Sequence, residues 1–310
     1  MSYKNNDRGP NMMRKYVWVI DTILRHRKIS FNDLNEEWRS CEMSGGEDLP
    51  KRTFDNWRAA IGDIFQIDIE NEQCGEYRYY ISNESELKTD NRRSWLYNTF
   101  CVSNALANSQ SIKDRILLEY VPSGQDYLQP IISAMKENRV LCITYQSYWN
   151  DEENDFKVQP YCVKLFKQRW YLVAKPDFEG KKLYIFSLDR ILKLQALDET
   201  FKMPLGWDAK DYFKESFGIF VDTRLKPQVV KLRVSAGQAN YIRDLRLHES
   251  QEEIERNDVY SVFRYYLRPH YDFIQELLWN GGDVEVLEPK ELREQVAKIV
   301  EKMWNKYQEI

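Results

Sequence analysis

The chain has 310 residues, of which 43% are apolar and 30% charged, and its formal net charge is −4. That length suffices for two or three domains with their own cores, and the small negative charge excludes binding of nucleic acid through bulk positive charge, leaving only local patches. No run is long and apolar enough to span a bilayer, and MSYKNNDRGPNMMRKY lacks the apolar segment of a secretion signal, so a cytoplasmic protein with no membrane contact is expected.

Residues 11–25 carry Tyr16, Ile20, Ile23 and Leu24 at helical spacing. Ser30 is placed to cap a second helix with Phe31, Leu34 and Trp38 on its inner face. After the loop MSGGEDLP, the stretch PKRTFDNWRAAIGDIF predicts a third helix, with Pro50 near its first turn and a buried stripe of Phe54, Trp57, Ile61 and Phe65. IDIENEQCGEYRYYI then reads as two short strands around a turn at Cys74–Gly75. Three helices and a ribbon form the pattern of a winged helix-turn-helix, expected over 1–82, whose third helix lies in the major groove with the ribbon over phosphates.

Residues 83–137 are expected as a helical linker: a polar connector, SNESELKTDNRR, an amphipathic helix, SWLYNTFCVSNALANS, and a further helix from Gly124 to Arg139. From 138 to 200 short strands alternate with turns. Strands are expected at 140–148, 157–166, 169–175, 183–188 and 191–197, with Asp177 to Lys182 turning between the third and fourth. Five short antiparallel strands favour a small closed barrel, which leaves no edge strand. Residues 201–227 read as a linker holding Pro204, Gly206 and a short helix. Residues 228–310 read as β-α-β-β-α-β plus a closing helix, the ferredoxin-like order. The fold class expected is α+β and multidomain.

The third helix carries Lys51, Arg52, Thr53, Asn56 and Arg58 off its buried stripe. Arg can read guanine, Asn can read adenine, and Lys, Thr and Arg can hold phosphates. Asp55 among them blunts the field, and alone the group reads as an ordinary solvated face. The ribbon Tyr77–Tyr80 directly downstream, with Arg78, tips the reading to duplex DNA. In the barrel, Tyr145 and Ser147 share one face of a strand, Arg169 and Tyr171 share a face with Trp170 opposite, and Tyr184 lies on the face of Phe186, with Arg190 ending the run. Aromatic rings with guanidinium and hydroxyl groups suit stacking a base and holding a phosphate. Trp170, Leu172 and Phe186 read as barrel core. Tyr145, Ser147, Arg169 and Arg190 fit a core less well, although an Arg190 paired with Asp189 is a structural alternative.

Enzyme signatures are missing from the sequence. Gly45–Gly46 and Gly281–Gly282 are isolated doublets, not a phosphate-cradling loop. His26, His248 and His270 are scattered, and the acidic groups Glu36–Glu37 and Asp151–Glu152–Glu153 read as solvated. The five cysteines, Cys41, Cys74, Cys101, Cys142 and Cys162, form no CxxC pair, so neither a disulfide framework nor a zinc site is expected. Cys142 and Cys162 read as small buried residues. No catalytic residue, cofactor or metal is expected.

Trp170-Tyr171-Leu172, followed by LYIFSLDRI and preceded by ITYQS (Ile143 to Ser147) and QPYCV (Gln159 to Val163), resembles the WYL domain. The order of segments is similar to bacterial transcriptional regulators built from a winged helix (1–82), a Sm/SH3-like WYL barrel (138–200) and a C-terminal extension called WCX (228–310). The resemblance implies a DNA-binding regulator, usually a homodimer, whose barrel senses a ligand that for some members is a nucleotide or nucleic acid. Tyr145 and Ser147 match the family's pocket tyrosine and serine, and Arg190 the arginine closing its second motif. Tyr184 stands where an arginine is usual, and Tyr161 where a basic residue or His is common. Lys157, Lys164 and Arg169 are the cations that could compensate. A rival reading makes the barrel the main site of a single-strand or RNA-binding accessory protein, with the winged helix contacting protein.

Overall fold

The computed structural model describes residues 10–85, 91–108, 114–117, 121, 124–148, 152–178 and 182–308. Residues 86–90 of the expected connector, Asp151, and residues 179–181 of the expected turn lie outside the described residues. Residue contacts divide the chain into two units, Met1–Leu118 and Glu119–Ile310.

The first unit comprises α1 (Pro10–His26), α2 (Phe31–Arg39), α3 (Lys51–Phe65), the strands β1 (Ile69–Asn71) and β2 (Tyr79–Ile81), and α4 (Asn91–Asn108). Ser30 caps α2, its hydroxyl accepting the Asp33 N–H at 3.2 Å. Phe54, Trp57, Ile61 and Phe65 recur at helical spacing on α3 and are all buried, sharing one core with Ile20, Ile23, Leu34 and Trp38. Trp38 meets Trp18 and Trp57 edge-on, with ring centroids 5.1 and 5.3 Å apart. Helix α3 ends at Gln66 in the left-handed conformation, where its N–H bonds the carbonyl of Gly62. Strands β1 and β2 pair antiparallel, Ile69 opposite Ile81. The ribbon is shorter than YRYY predicts, because Gly75 and Tyr77 both take positive φ and bend the chain away from the ladder. Ile29 forms a further antiparallel bridge to Tyr79, tying the ribbon to the α1–α2 junction. Leu96, Tyr97 and Phe100 of α4 pack on the same core.

The second unit begins with α5 (Gln125–Lys136), β3 (Arg139–Gln146), β4 (Glu153–Phe166), β5 (Arg169–Pro176), β6 (Tyr184–Ser187), a 3-10 turn (Leu188–Arg190) and β7 (Ile191–Thr200). The sheet runs β6-β5-β4-β3-β7 and every pairing is antiparallel. Strand β4 starts at Glu153, ahead of the position the sequence predicts, because Glu153 to Phe156 pair with Gln146 to Ile143. In a flat sheet β3 and β6 would stand three spacings apart, roughly 14 Å. Yet the rings of Tyr145 on β3 and Phe186 on β6 are 5.2 Å apart. The sheet therefore curls, and its inner face holds Leu141, Ile143, Val158, Leu172 and Phe186 under Ile131 and Ala134 of α5. Strands β6 and β7 share no ladder among the described residues and are joined by the 3-10 turn. Gly124 presses against that turn: a Cβ there would lie 2.3 Å from the Leu188 carbonyl carbon, and its φ is +62°.

A connector containing α6 (Ala209–Phe213) leads to β8 (Gln228–Ser235), α7 (Ala236–Asp244), β9 (Glu252–Arg256), β10 (Tyr260–Leu267), α8 (Tyr271–Trp279), β11 (Val284–Glu288) and α9 (Lys290–Lys306). The element order is β-α-β-β-α-β with a closing helix, and the antiparallel sheet runs β11-β8-β10-β9. Leu232, Tyr265 and Phe273 are fully buried at its core. An aromatic file, Phe166–Phe217–Phe273, with centroids 5.8 and 5.7 Å apart, joins the first sheet to this core. Cys162 is buried, whereas Cys142 is only half-buried because its side chain lies on the outer face of β3.

Candidate nucleic-acid and ligand sites

Two neighbours on α3 meet different fates. Lys51 folds back into an aromatic cage, its Nζ 4.5, 4.8 and 4.9 Å from the ring centroids of Tyr79, Phe54 and Phe31. It also donates to the Tyr79 hydroxyl and to Asp55 Oδ1 at 3.1 Å. Arg52 and Asn56, one turn apart on the same face, are exposed and have no partner among the described residues. Thr53 and Arg58 are half-buried, and the Arg58 guanidinium stands 5.9 Å from the Tyr79 ring. On the ribbon Arg78 is held by Glu76, 2.9 Å from its Nε, which raises the arginine pKa. Lys28 pairs with Glu72 at 2.6 Å, and Tyr80 donates to Glu70. The ribbon's cations are thus largely neutralised, and among the described residues Arg52 and Asn56 are the exposed candidate groups of this face without a partner.

Inside the curled sheet a continuous chain of rings runs Tyr184, Phe178, Phe156, Phe186, Tyr145, with successive centroids 5.2, 6.0, 5.6 and 5.2 Å apart. Its end is closed by Arg190, whose guanidinium lies 5.4 Å from the Tyr145 ring and 4.5 Å from the Tyr148 ring. The Arg190 Nε is buried without a hydrogen-bond partner among the described residues. Tyr145 is buried, its hydroxyl accepting the Ser187 N–H at 3.3 Å, and burial raises its pKa while Arg190 opposes the rise. Asp189 does not pair with Arg190. It takes a hydrogen bond from the Ser187 hydroxyl and lies 3.7 Å from Arg169. A buried unpartnered donor flanked by two rings is chemistry for an acceptor or anion carrying a planar group.

Pairing sorts the other predicted residues by face. Tyr184 sits opposite Ala174 and so shares the inner side with Phe186, while remaining 44% exposed at its rim. Lys157 pairs with Cys142, on the opposite face from Tyr145, and meets Glu199 at 3.4 Å. Arg169 and Tyr171 lie on the outer side with Phe166 and Lys164. Tyr171 is buried there, which raises its pKa. Lys164 donates to the Gly218 carbonyl at 2.5 Å and stands 3.6 Å over Phe213, and burial lowers its pKa to about 8. Ser147 follows the end of β3, next to Tyr148. The structure thus brings together Tyr145 and Arg190, places Tyr184 at the opposite, exposed end of the ring chain, and sets Lys157, Arg169 and Tyr171 apart on the other face. Trp170 packs partly buried against the inner core, with Leu172 and Phe186 fully within it. Phe156, Phe178 and Tyr148 complete the ring chain but carry no signal of their own in the sequence. Asp189 had one, as the acid of SLDR, although its partner is Arg169. Among the described residues no three His, Cys, Asp or Glu side chains form a metal-sized cluster, and no helix is long and apolar enough to cross a membrane.

The family model for the WYL domain matches residues 126–196, and that for the WCX domain matches residues 226–304. No curated protein matches the chain. Among solved structures, proteasome accessory factor B/C (PafBC) of Arthrobacter aurescens is 17% identical, with a TM-score of 0.37 over 93% of this chain. This chain spans 46% of that protein's length. A CRISPR Cas-related protein is 12% identical, with a TM-score of 0.39 over 96% of this chain and 85% of its own.

Proposed function

We propose that this chain, which carries a WYL domain followed by a WCX domain, is a DNA-binding transcriptional regulator whose WYL domain senses a ligand. On this reading the first unit is a winged helix-turn-helix, the curled sheet a Sm/SH3-like barrel and the C-terminal domain ferredoxin-like. The β-α-β-β-α-β order and the β11-β8-β10-β9 sheet support the last assignment. The observation that carries the function is the α3 face, where Arg52 and Asn56 stand exposed and uncommitted beside the ribbon. Arg bidentate to guanine and Asn bidentate to adenine are the usual major-groove pairings, and a helix one turn long between them fits a single half-site. The protein acts as a cytoplasmic homodimer on a duplex operator, without catalysis or cofactor. The effector is a nucleotide or a short single strand held by Tyr145, Tyr184 and Arg190. It acts by binding one dimer geometry better than another, which changes the spacing of the two recognition helices.

Selection of bound genomic fragments, followed by titration of the selected duplex with Arg52→Ala/Asn56→Ala, tests the reading. The double variant is expected to lose binding, and intact duplex binding would sink the operator assignment. A second reading, a single-strand-binding accessory protein, is favoured by the ring chain and the buried Arg190 Nε. It would show as single-strand affinity exceeding duplex affinity and lost in Tyr145→Ala/Arg190→Ala.

A further inference from the structure

On the outer side of the WYL sheet the second unit contains a cleft of about 670 Å³ that none of Tyr145, Ser147 or Arg190 lines. Its volume lies in the range of small-molecule sites, roughly 300–1,000 Å³. One wall is aromatic: Tyr161 of β4, Trp207 of the connector and Phe220 of the loop before β8. Tyr161 is buried, stacked parallel to Phe201 at 6.1 Å and meeting Trp207 edge-on at 5.1 Å, so its ring is fixed. The opposite character comes from Lys175 at the end of β5 and from Lys182 before β6. Neither lysine has a carboxylate partner among the described residues. The one acid among the described lining residues, Asp222, is already held by Arg224 through Nε at 2.9 Å and Nη2 at 2.7 Å, and lies 3.9 Å from His270. Among the described residues that leaves an excess of positive charge facing an aromatic wall. His270, tilted against Phe220 at 5.7 Å, adds a buried Nδ1 with no partner among the described residues.

The loop that forms this wall is anchored. Asp272 accepts the N–H groups of Ile219 and Phe220 at 2.7 and 3.0 Å, and Arg268 donates to the Leu225 carbonyl at 2.9 Å. Gly218 permits that approach, since a Cβ there would lie 2.3 Å from Asp272 Oδ2. A preformed cleft of this kind costs little to order on binding.

We propose that this cleft binds a small aromatic anion, a planar ring bearing a phosphate or a carboxylate. The ring lies against Tyr161, Trp207 and Phe220 and the anionic group meets Lys175 and Lys182. The occupant would join three segments, the WYL sheet, the connector and the loop entering the WCX domain. The site is thus a second sensing position, independent of the ring chain inside the sheet.

The test is calorimetric titration of the full chain with adenosine 5′-monophosphate and with indole-3-acetate, alongside inorganic phosphate and adenosine. One of the two aromatic anions is expected to bind, which one distinguishing phosphate from carboxylate, and Lys175→Met/Lys182→Met should weaken it about tenfold or more. Lys182 is exposed and Lys175 half-buried, and an unchanged circular dichroism spectrum and melting temperature establish that the double variant folds. As a second variant, Phe220→Leu should weaken the aromatic anion while leaving inorganic phosphate unaffected. Three outcomes overturn the proposal: no binding of either aromatic anion up to millimolar concentration, unchanged affinity in the double lysine variant, or inorganic phosphate binding as tightly as the aromatic anions.

Discussion

Lys51→Met and Arg52→Ala should separate two adjacent cations that a sequence treats alike. Lys51 Nζ faces the rings of Tyr79, Phe54 and Phe31 at 4.5 to 4.9 Å and bonds the Tyr79 hydroxyl and Asp55. Cation–π contacts at accessible sites contribute about 0.5–1 kcal/mol each, and a hydrogen bond about 1 kcal/mol. Methionine keeps the apolar contact of the stem and loses the charge, so the expected cost is about 2 kcal/mol of first-unit stability. Duplex affinity should stay nearly unchanged, because that ammonium is already committed within the fold. Arg52 has no partner among the described residues to lose. Its truncation should leave stability within about 0.5 kcal/mol and cost about 1–3 kcal/mol of duplex affinity, roughly 5- to 150-fold. Urea unfolding followed by tryptophan fluorescence reads the first quantity. Anisotropy of a labelled operator fragment, repeated across a salt series, reads the second. The reasoning fails if Lys51→Met weakens the duplex as much as Arg52→Ala, or if it flattens the salt dependence by about one phosphate contact.

Arg190→Met should leave stability within about 1 kcal/mol, since the loss of its two cation–π contacts is offset by removing a buried donor without a partner among the described residues, while lowering nucleotide or single-strand binding about tenfold or more. Equilibrium unfolding and anisotropy decide this, and a strongly destabilised variant with unchanged binding would make Arg190 structural. Lys164 gives a pH prediction. Its folded pKa of about 8 lies below the ordinary 10.5, so between those values the unfolded chain holds a proton that the folded chain has released. Its contribution to stability therefore rises with pH across that window, by at most about 3 kcal/mol, while the Cys162 thiol, raised to about 11 by burial, acts oppositely above pH 9. The stability difference between Lys164→Met and the parent should shift by that sign from pH 7.5 to 9, and a flat difference would refute the depressed pKa. Gly218→Ala should cost about 2 kcal/mol or more, because φ is +78° and the new Cβ would lie 2.3 Å from Asp272 Oδ2. A melting temperature equal to the parent's would show that the loop can move aside.

Period and capping made the helices legible. Phe54, Trp57, Ile61 and Phe65 fall on one stripe, and Ser30 stands where a cap must. What the sequence left open was register. Lys157 and Tyr145 lie on the same strand pair, and only the pairing of Lys157 with Cys142 puts the lysine on the far face. The ring chain needs the same information, since Phe156, Phe178 and Phe186 come from three segments brought together by curling. The Lys51 cage depends on α2, α3 and β2 packing together, which no local window contains. Tyr145 does not fall on one side of the division between core and candidate site. It is core, with its ring buried and its hydroxyl engaged by the Ser187 N–H, and its ring also meets the Arg190 guanidinium of the candidate site.

That dual position has a consequence for how a ligand could be sensed. Ser187 touches Tyr145 through its N–H on the inner side and Asp189 through its hydroxyl, and Asp189 faces Arg169 on the outer side. Asp189 is nearly buried, so leaving it without Arg169 or Ser187 would strand a charge at a cost of several kcal/mol. On the proposed reading, an anion that draws Arg190 out from between Tyr145 and Tyr148 would act on the turn Ser187 to Arg190, in which Ser187 and Asp189 are hydrogen-bonded to each other. The outer face of that segment meets Tyr171 and Arg169, neighbours on the sheet of Lys164 and Phe166, which contact the connector and Phe217. On the proposed reading, ligand binding inside the sheet and the packing of the connector outside it are linked through one carboxylate. Asp189→Asn, which keeps the shape and removes the charge, should uncouple the two before it unfolds either.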